Sequence, residues 1–226
     1  MNTLTMKGTT MPQLATPATE LSGDVFAALI NLAGKRRFMS QRLVLYAVLA
    51  SLGHEGAVDT ARETLAQFQD AHARLMGEKG SLPGVFCEAL RQAYFGDIQG
   101  DAHIRAFMRL ADEALGAIAG NGLAAPALLA ELVEQGTPIL SLLGTLTLVY
   151  EEQAKRAALA ERKTLVSTMA EMKQVSRRVR LAALDAQMVV ARAGLRGADV
   201  AAATNALTTV TGELDALAER ALATAR

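Results

Sequence analysis

From Ile139 to about Ala193 the chain has no proline and one glycine, Gly144. Apolar residues recur there at intervals of three and four, so the stretch reads as one helix. It would hold about 55 residues and run roughly 80 Å. An element of that length needs other helices alongside it to cover its apolar stripe. The composition agrees: aromatics make up 4%, there is no Trp, and Ala and Leu dominate over strand-favouring runs. The expected class is all-α, an antiparallel helical bundle followed by a long, coiled-coil-like helical hairpin.

Glycines and prolines punctuate the rest. Helix one is expected from Leu21–Asp24 to Leu52, with Ser22 as its cap and Gly53 as its stop. Val25, Leu29, Leu32, Leu43 and Ala47 form its apolar face. Helix two covers about Gly56 to Met76, with Val58, Ala61, Leu65, Phe68, His72 and Leu75 in register. A loop over Gly77–Gly84 leads to a short helix, Val85–Tyr94. Helix three runs from about Asp101 to Ile118. A helix over Pro126–Glu134 is expected to be interrupted at Gly136-Thr137-Pro138 before the long one begins. Gly194-Leu195-Arg196-Gly197 should end the long helix, and Ala198–Ala223 returns. This gives a tail over 1–20, a bundle over 21–153 and a hairpin over 154–226. The hairpin's core is expected at Leu165, Met169, Met172, Val175, Val179, Leu184, Met188 and Ala191. On the return arm it is expected at Val200, Leu207, Val210, Leu214 and Leu217.

Net charge is zero, so the molecule has no global attraction to nucleic acid or to an anionic membrane. A lone Cys87 excludes an intramolecular disulfide and reads as a packed thiol. Residues 1–19 lack the apolar core of a signal peptide. No run reaches the ~20 apolar residues of a membrane span. A cytoplasmic protein with no membrane span is expected.

The anomaly is the run from Ile30 to Leu43, which carries Lys35, Arg36, Arg37 and Arg42 and no acid. Gly34, Arg37 and Gln41 lie three and four apart and share a helix face, which Ile30 and Val44 extend. Gly34 would let a second backbone come close. Two copies of helix one packed on that face would bring two Arg37 side chains together. Such a pair favours an anion between them, and a planar oxyanion suits the guanidinium fork. The competing reading is an Arg37 paired with a glutamate of its own bundle. Arg36 and Lys35 fall on other faces and are expected to be solvated. Arg42 is expected to pair with an acid on a neighbouring helix.

Asn31, Ala33-Gly34, Arg37, Ser40-Gln41 and Arg42 resemble the opening helix of the type IV pilus methyl-accepting chemotaxis transducer N-terminal (PilJ-type) domain. They also resemble the signature of nitrate/nitrite-sensing domains. Weaker likeness extends through Leu82-Pro83, Tyr94-Phe95-Gly96, Ile104 with Phe107, and Leu142 to Glu152. The resemblance implies a sensory helical bundle in signal transduction linked to chemotaxis and type IV pili. It also implies a homodimer that holds nitrate or nitrite at the residue matching Arg37, with Gly34 and Gln41 beside it.

Arg180–Gln187 and Ala191-Arg192-Ala193-Gly194 resemble the tip of a chemoreceptor signalling hairpin. That likeness implies a histidine kinase or coupling protein as partner, with Asp185 and Arg192 as contact residues. Val189, Asp185 and Leu195 depart from the family's residues. An ordinary hairpin used for oligomerisation, or as an adaptor or scaffold, is therefore the other reading.

Enzymatic signatures are sparse. His54, His72 and His103 have no metal-ligand partner at helical spacing, and no phosphate loop follows a strand. No catalytic residue, metal or cofactor is expected. The basic segment Lys155–Arg180 has no aromatics for base stacking, which argues against single-stranded nucleic acid. It reads as a solvated helix face, and an RNA-binding regulator is the remotest alternative. The expectation is a non-enzymatic sensor of a small anion.

Overall fold

The computed structural model describes residues 21–192 and 198–224. The tail over 1–20 and the break at Gly194–Gly197 lie outside the described residues, as does the side chain of Val200. Among the described residues there are six helices and no strand, so the protein is all-α. They are α1 Gly23–Ser51, α2 Ala57–Leu75, α3 Glu88–Phe95, α4 Gly100–Ala119, α5 Ala125–Arg192 and α6 Ala198–Thr224. Two compact units divide between Ala157 and Ala158, about one turn past the expected break.

In the first unit, α1 starts where the sequence places it, with the Ser22 hydroxyl accepting from the Val25 N–H. Its stripe of Phe26, Leu29, Leu32, Ala33, Leu43 and Ala47 is buried. Phe68 and Leu75 of α2, Leu90 and Tyr94 of α3, Ile104 and Leu115 of α4, and Leu132, Leu143 and Leu146 of α5 complete the core. Ring pairs Phe26–Phe86 and Phe68–Phe107 tie elements together at centroid distances of 5.9 Å. The loop between α2 and α3 folds tightly on itself. Gly84 adopts φ +67°, and a Cβ there would lie 2.9 Å from the Met76 carbonyl oxygen. Only glycine fits both demands.

The expected interruption at Gly136-Thr137-Pro138 does not occur, and α5 is continuous through Pro138. Proline removes one backbone N–H and crowds the preceding turn, yet tertiary contacts hold the helix on both sides. Leu132 and Ile139 are buried. The Gln41 amide donates to the Gly136 carbonyl at 2.9 Å, and Gly136 packs against Val44 of α1. Against the expectation that no run is apolar enough for a membrane span, α5 passes a test of length and composition that core helices of soluble proteins also pass. One window in it is long and apolar enough by length and composition, with 33% of that window buried.

In the second unit the two arms run antiparallel. Lys173 pairs with Glu219, and Gln187 donates to Thr204 at 2.8 Å. Ser176 donates to the Thr211 carbonyl, and Arg180 reaches Thr211 and Asp215. The seam differs from the expected one. Ser176 and Ala183 on α5 and Thr204, Thr211 and Ala218 on α6 are buried, at intervals of seven. Leu165, Val175, Leu184, Met188, Ala191, Leu207, Val210 and Leu217, expected inside, are exposed. Small residues let the arms approach closely, and the larger apolar side chains flank the seam.

Candidate functional site

α1 is two-sided. Its core stripe occupies one face. On the opposite face Asn31, Gly34, Phe38, Gln41, Leu45, Val48 and the C-cap Leu52 follow one another at alternating steps of three and four. That is the spacing of a helix–helix seam. Here it is uncovered: Phe38 is 63% exposed, Leu45 54% and Leu52 69%. The structure shifts the exposed line away from the expected one, because Ile30 and Val44 pack against the core.

Arg37 is exposed at the flank of this line, and no hydrogen bond or ion pair holds its side chain among the described residues. Pairing with a glutamate of its own bundle is therefore not what the structure shows. Its side chain runs beside α5, where a Cβ on Gly144 would come within 4.0 Å of Arg37 Nε. Gly34 has open space where a Cβ would stand. Gln41 is tied to α5 through the Gly136 carbonyl. Among the described residues Arg42 finds no acid, contrary to expectation. Its guanidinium lies 5.2 Å from the Tyr46 ring centroid, and its Nε is buried without a partner.

The sharper correction concerns Arg36, which is fully buried and not solvated. Its Nη1 donates to His72 Nδ1 at 2.9 Å, and its Nη2 donates to the Tyr94 hydroxyl at 2.9 Å. With Nδ1 accepting, His72 carries its proton on Nε2 and donates it to Asp101 Oδ1 at 2.9 Å. Asp101 also accepts two bonds from Arg105 Nε, and Arg105 reaches Glu78. The Tyr94 and Tyr150 hydroxyls lie 3.2 Å apart. Thus α1, α2, α3, α4 and α5 each contribute to one buried polar clasp. Arg36 Nε remains without a partner.

The electrostatics follow from that burial. Desolvation, then the Arg36 cation, lower the His72 pKa to about 4, while Asp101 opposes the shift. Burial raises the Tyr150 hydroxyl well above its usual value, and burial also raises the half-buried Cys87 thiol. His72 and Asp101 have the hydrogen-bond geometry of a catalytic dyad. A cation occupies the nitrogen that would act as base, so the pair serves to hold the helices together. Periodicity could have revealed Arg36, which lies seven residues after Leu29 and seven before Leu43, in line with the core.

Asp185 and Arg192 are both exposed, beside the exposed Leu184, Met188 and Val189. No cluster of three or more metal-type ligands occurs among the described residues. No family model matches this chain, and comparisons with curated proteins and with solved structures likewise give no match.

Proposed function

We propose that the first unit is a sensory module that pairs with a second copy through the exposed face of α1 and binds a small planar oxyanion beside Arg37. The carrying observation is the uncovered three-four line of Phe38, Leu45 and Leu52, flanked by an unpartnered Arg37. After Asp24, α1 contains no acid. In a parallel pairing, Arg37 of one helix approaches Arg42 of the other, because flanking positions of a seam meet five residues apart. Two such cations about 6 Å apart, at an effective dielectric of about 20, repel by about 3 kcal/mol. An anion between them removes that repulsion and so favours the paired geometry. Nitrate and nitrite are the ions that the PilJ-type resemblance implies. Gly144, beside Arg37, belongs to α5, which continues without a break into the hairpin. α5 is therefore the element through which a change at Arg37 would reach the second unit.

A second reading, an adaptor that acts through the hairpin, is favoured by the exposed Leu184, Met188 and Val189 around Asp185 and Arg192. The two separate in thermal melts with millimolar nitrate and nitrite. Sensing requires stabilisation by an ion in the wild type, lost in Arg37→Ala and kept in Lys35→Ala. Equal melts for all three, with and without ions, would sink it. Capture of a histidine kinase or coupling protein by the full chain, weakened by Arg192→Ala, would support the adaptor.

A further inference from the structure

A cleft of about 470 Å³ opens between α4 and α5, away from the α1 contact. Its walls are apolar: Phe107 and Leu110 from α4, Ile139 and Leu142 from α5. Its polar side chains are few, and the one that carries charge, Glu131, is an acceptor only. Glu131 and Gln135 come from α5, and His103 faces them from α4. No lysine or arginine lines it, and Glu131 has no ion pair among the described residues. Pro138, also in the lining, has no N–H to give the Glu134 carbonyl one turn back. That leaves a further acceptor beside the cleft. The volume falls within the range of small-molecule sites, which are mostly apolar with a few placed polar groups.

We propose that this cleft binds a small organic cation, an ammonium on an apolar body. The apolar part packs between Phe107 and Leu142, and the ammonium donates to Glu131 and Gln135. A carboxylate ligand is disfavoured, because it would meet Glu131 with no cation to offset the repulsion. The cleft residues lie on a different face of α5 from Gly136 and Gly144, which contact α1. The site is therefore independent of the oxyanion reading.

Calorimetric titration of the full chain with phenethylamine, phenethyl alcohol and hydrocinnamate tests this. The amine should bind saturably and about two- to fivefold tighter than the alcohol, because Glu131 is exposed and water screens its ion pair. Glu131→Gln should bring amine and alcohol to similar affinity. Ala106→Trp, a substitution at an exposed lining residue, should block both while helicity is unchanged. Arg37→Ala should bind the amine as the wild type does. The proposal is overturned if the amine fails to saturate, if alcohol or hydrocinnamate binds as tightly, or if Glu131→Gln changes nothing.

Discussion

The buried clasp predicts an asymmetry between its two central residues. Arg36 is fully buried, makes two hydrogen bonds, and touches no carboxylate. Replacing His72 with Leu leaves that guanidinium buried with only Tyr94 as partner, because its Nε is already unpaired. His72 is neutral, so no ion pair is broken, but a buried charged group left short of a hydrogen-bond partner costs more than a neutral one. Replacing Arg36 with Met removes the charge and nearly keeps the volume. It strands only His72 Nδ1, since the Tyr94 hydroxyl keeps Tyr150. An orphaned neutral group costs about 1–3 kcal/mol. The ordering therefore runs against intuition, with loss of the neutral histidine worse than loss of the arginine. The double variant strands neither, so its cost should fall short of the sum by about 1–3 kcal/mol. Urea unfolding near neutral pH, with unchanged denaturant dependence, measures all three. An Arg36→Met variant less stable than His72→Leu would refute the reasoning. So would additivity within about 0.5 kcal/mol.

The same histidine sets a pH dependence. Its pKa is about 4 in the fold against 6.5 when unfolded, so the unfolded chain takes up the proton first as pH falls. Stability from this source is complete above 6.5 and is lost on the way down to about 4, by about 3 kcal/mol in all. Unfolding free energies measured from pH 6.5 to 5 should decline in the wild type and flatten in His72→Leu; parallel slopes would contradict this. Pro138→Ala should stabilise the protein by about 1–3 kcal/mol, because it restores a helix-interior N–H and removes a clash. A lower melting temperature would show that the proline is required. Leu45→Asp should leave monomer stability within about 0.5 kcal/mol, as expected for an exposed position, yet weaken self-association in sedimentation. Unchanged self-association would remove Leu45 from the contact.

Most helix boundaries were legible because glycines and a capping serine mark them; α3 instead begins at Glu88, three residues after the expected Val85. α1 starts after Ser22, and Gly53 and Gly120 follow the ends of α1 and α4. Three features were hidden for separate reasons. Arg36 was expected in solvent because it falls off the Gly34–Arg37–Gln41 face, although its position in the repeat is a core position. Only the long-range partners His72 and Tyr94 make a buried guanidinium tolerable, and nothing local announces them. Pro138 carried the expectation of a break, which packing of Gly136 against α1 overrides. In the hairpin, leucines and valines were expected inside by hydrophobicity. The seam instead uses Ser176, Ala183, Thr204, Thr211 and Ala218, whose small size permits close approach. For Arg37, the sequence pointed to an unpaired cation beside Gly34. The structure adds that the adjoining exposed line is apolar and lies opposite the core stripe.

Sedimentation equilibrium of wild type and Arg37→Ala, each with and without millimolar nitrate, bears most directly on the sensory reading. Association through α1 with an anion between cations requires nitrate to strengthen dimerisation of the wild type. Arg37→Ala should dimerise without regard to nitrate, because the repelling charge and the anion site go together. A wild type that stays monomeric, or that dimerises equally with and without nitrate, would contradict it.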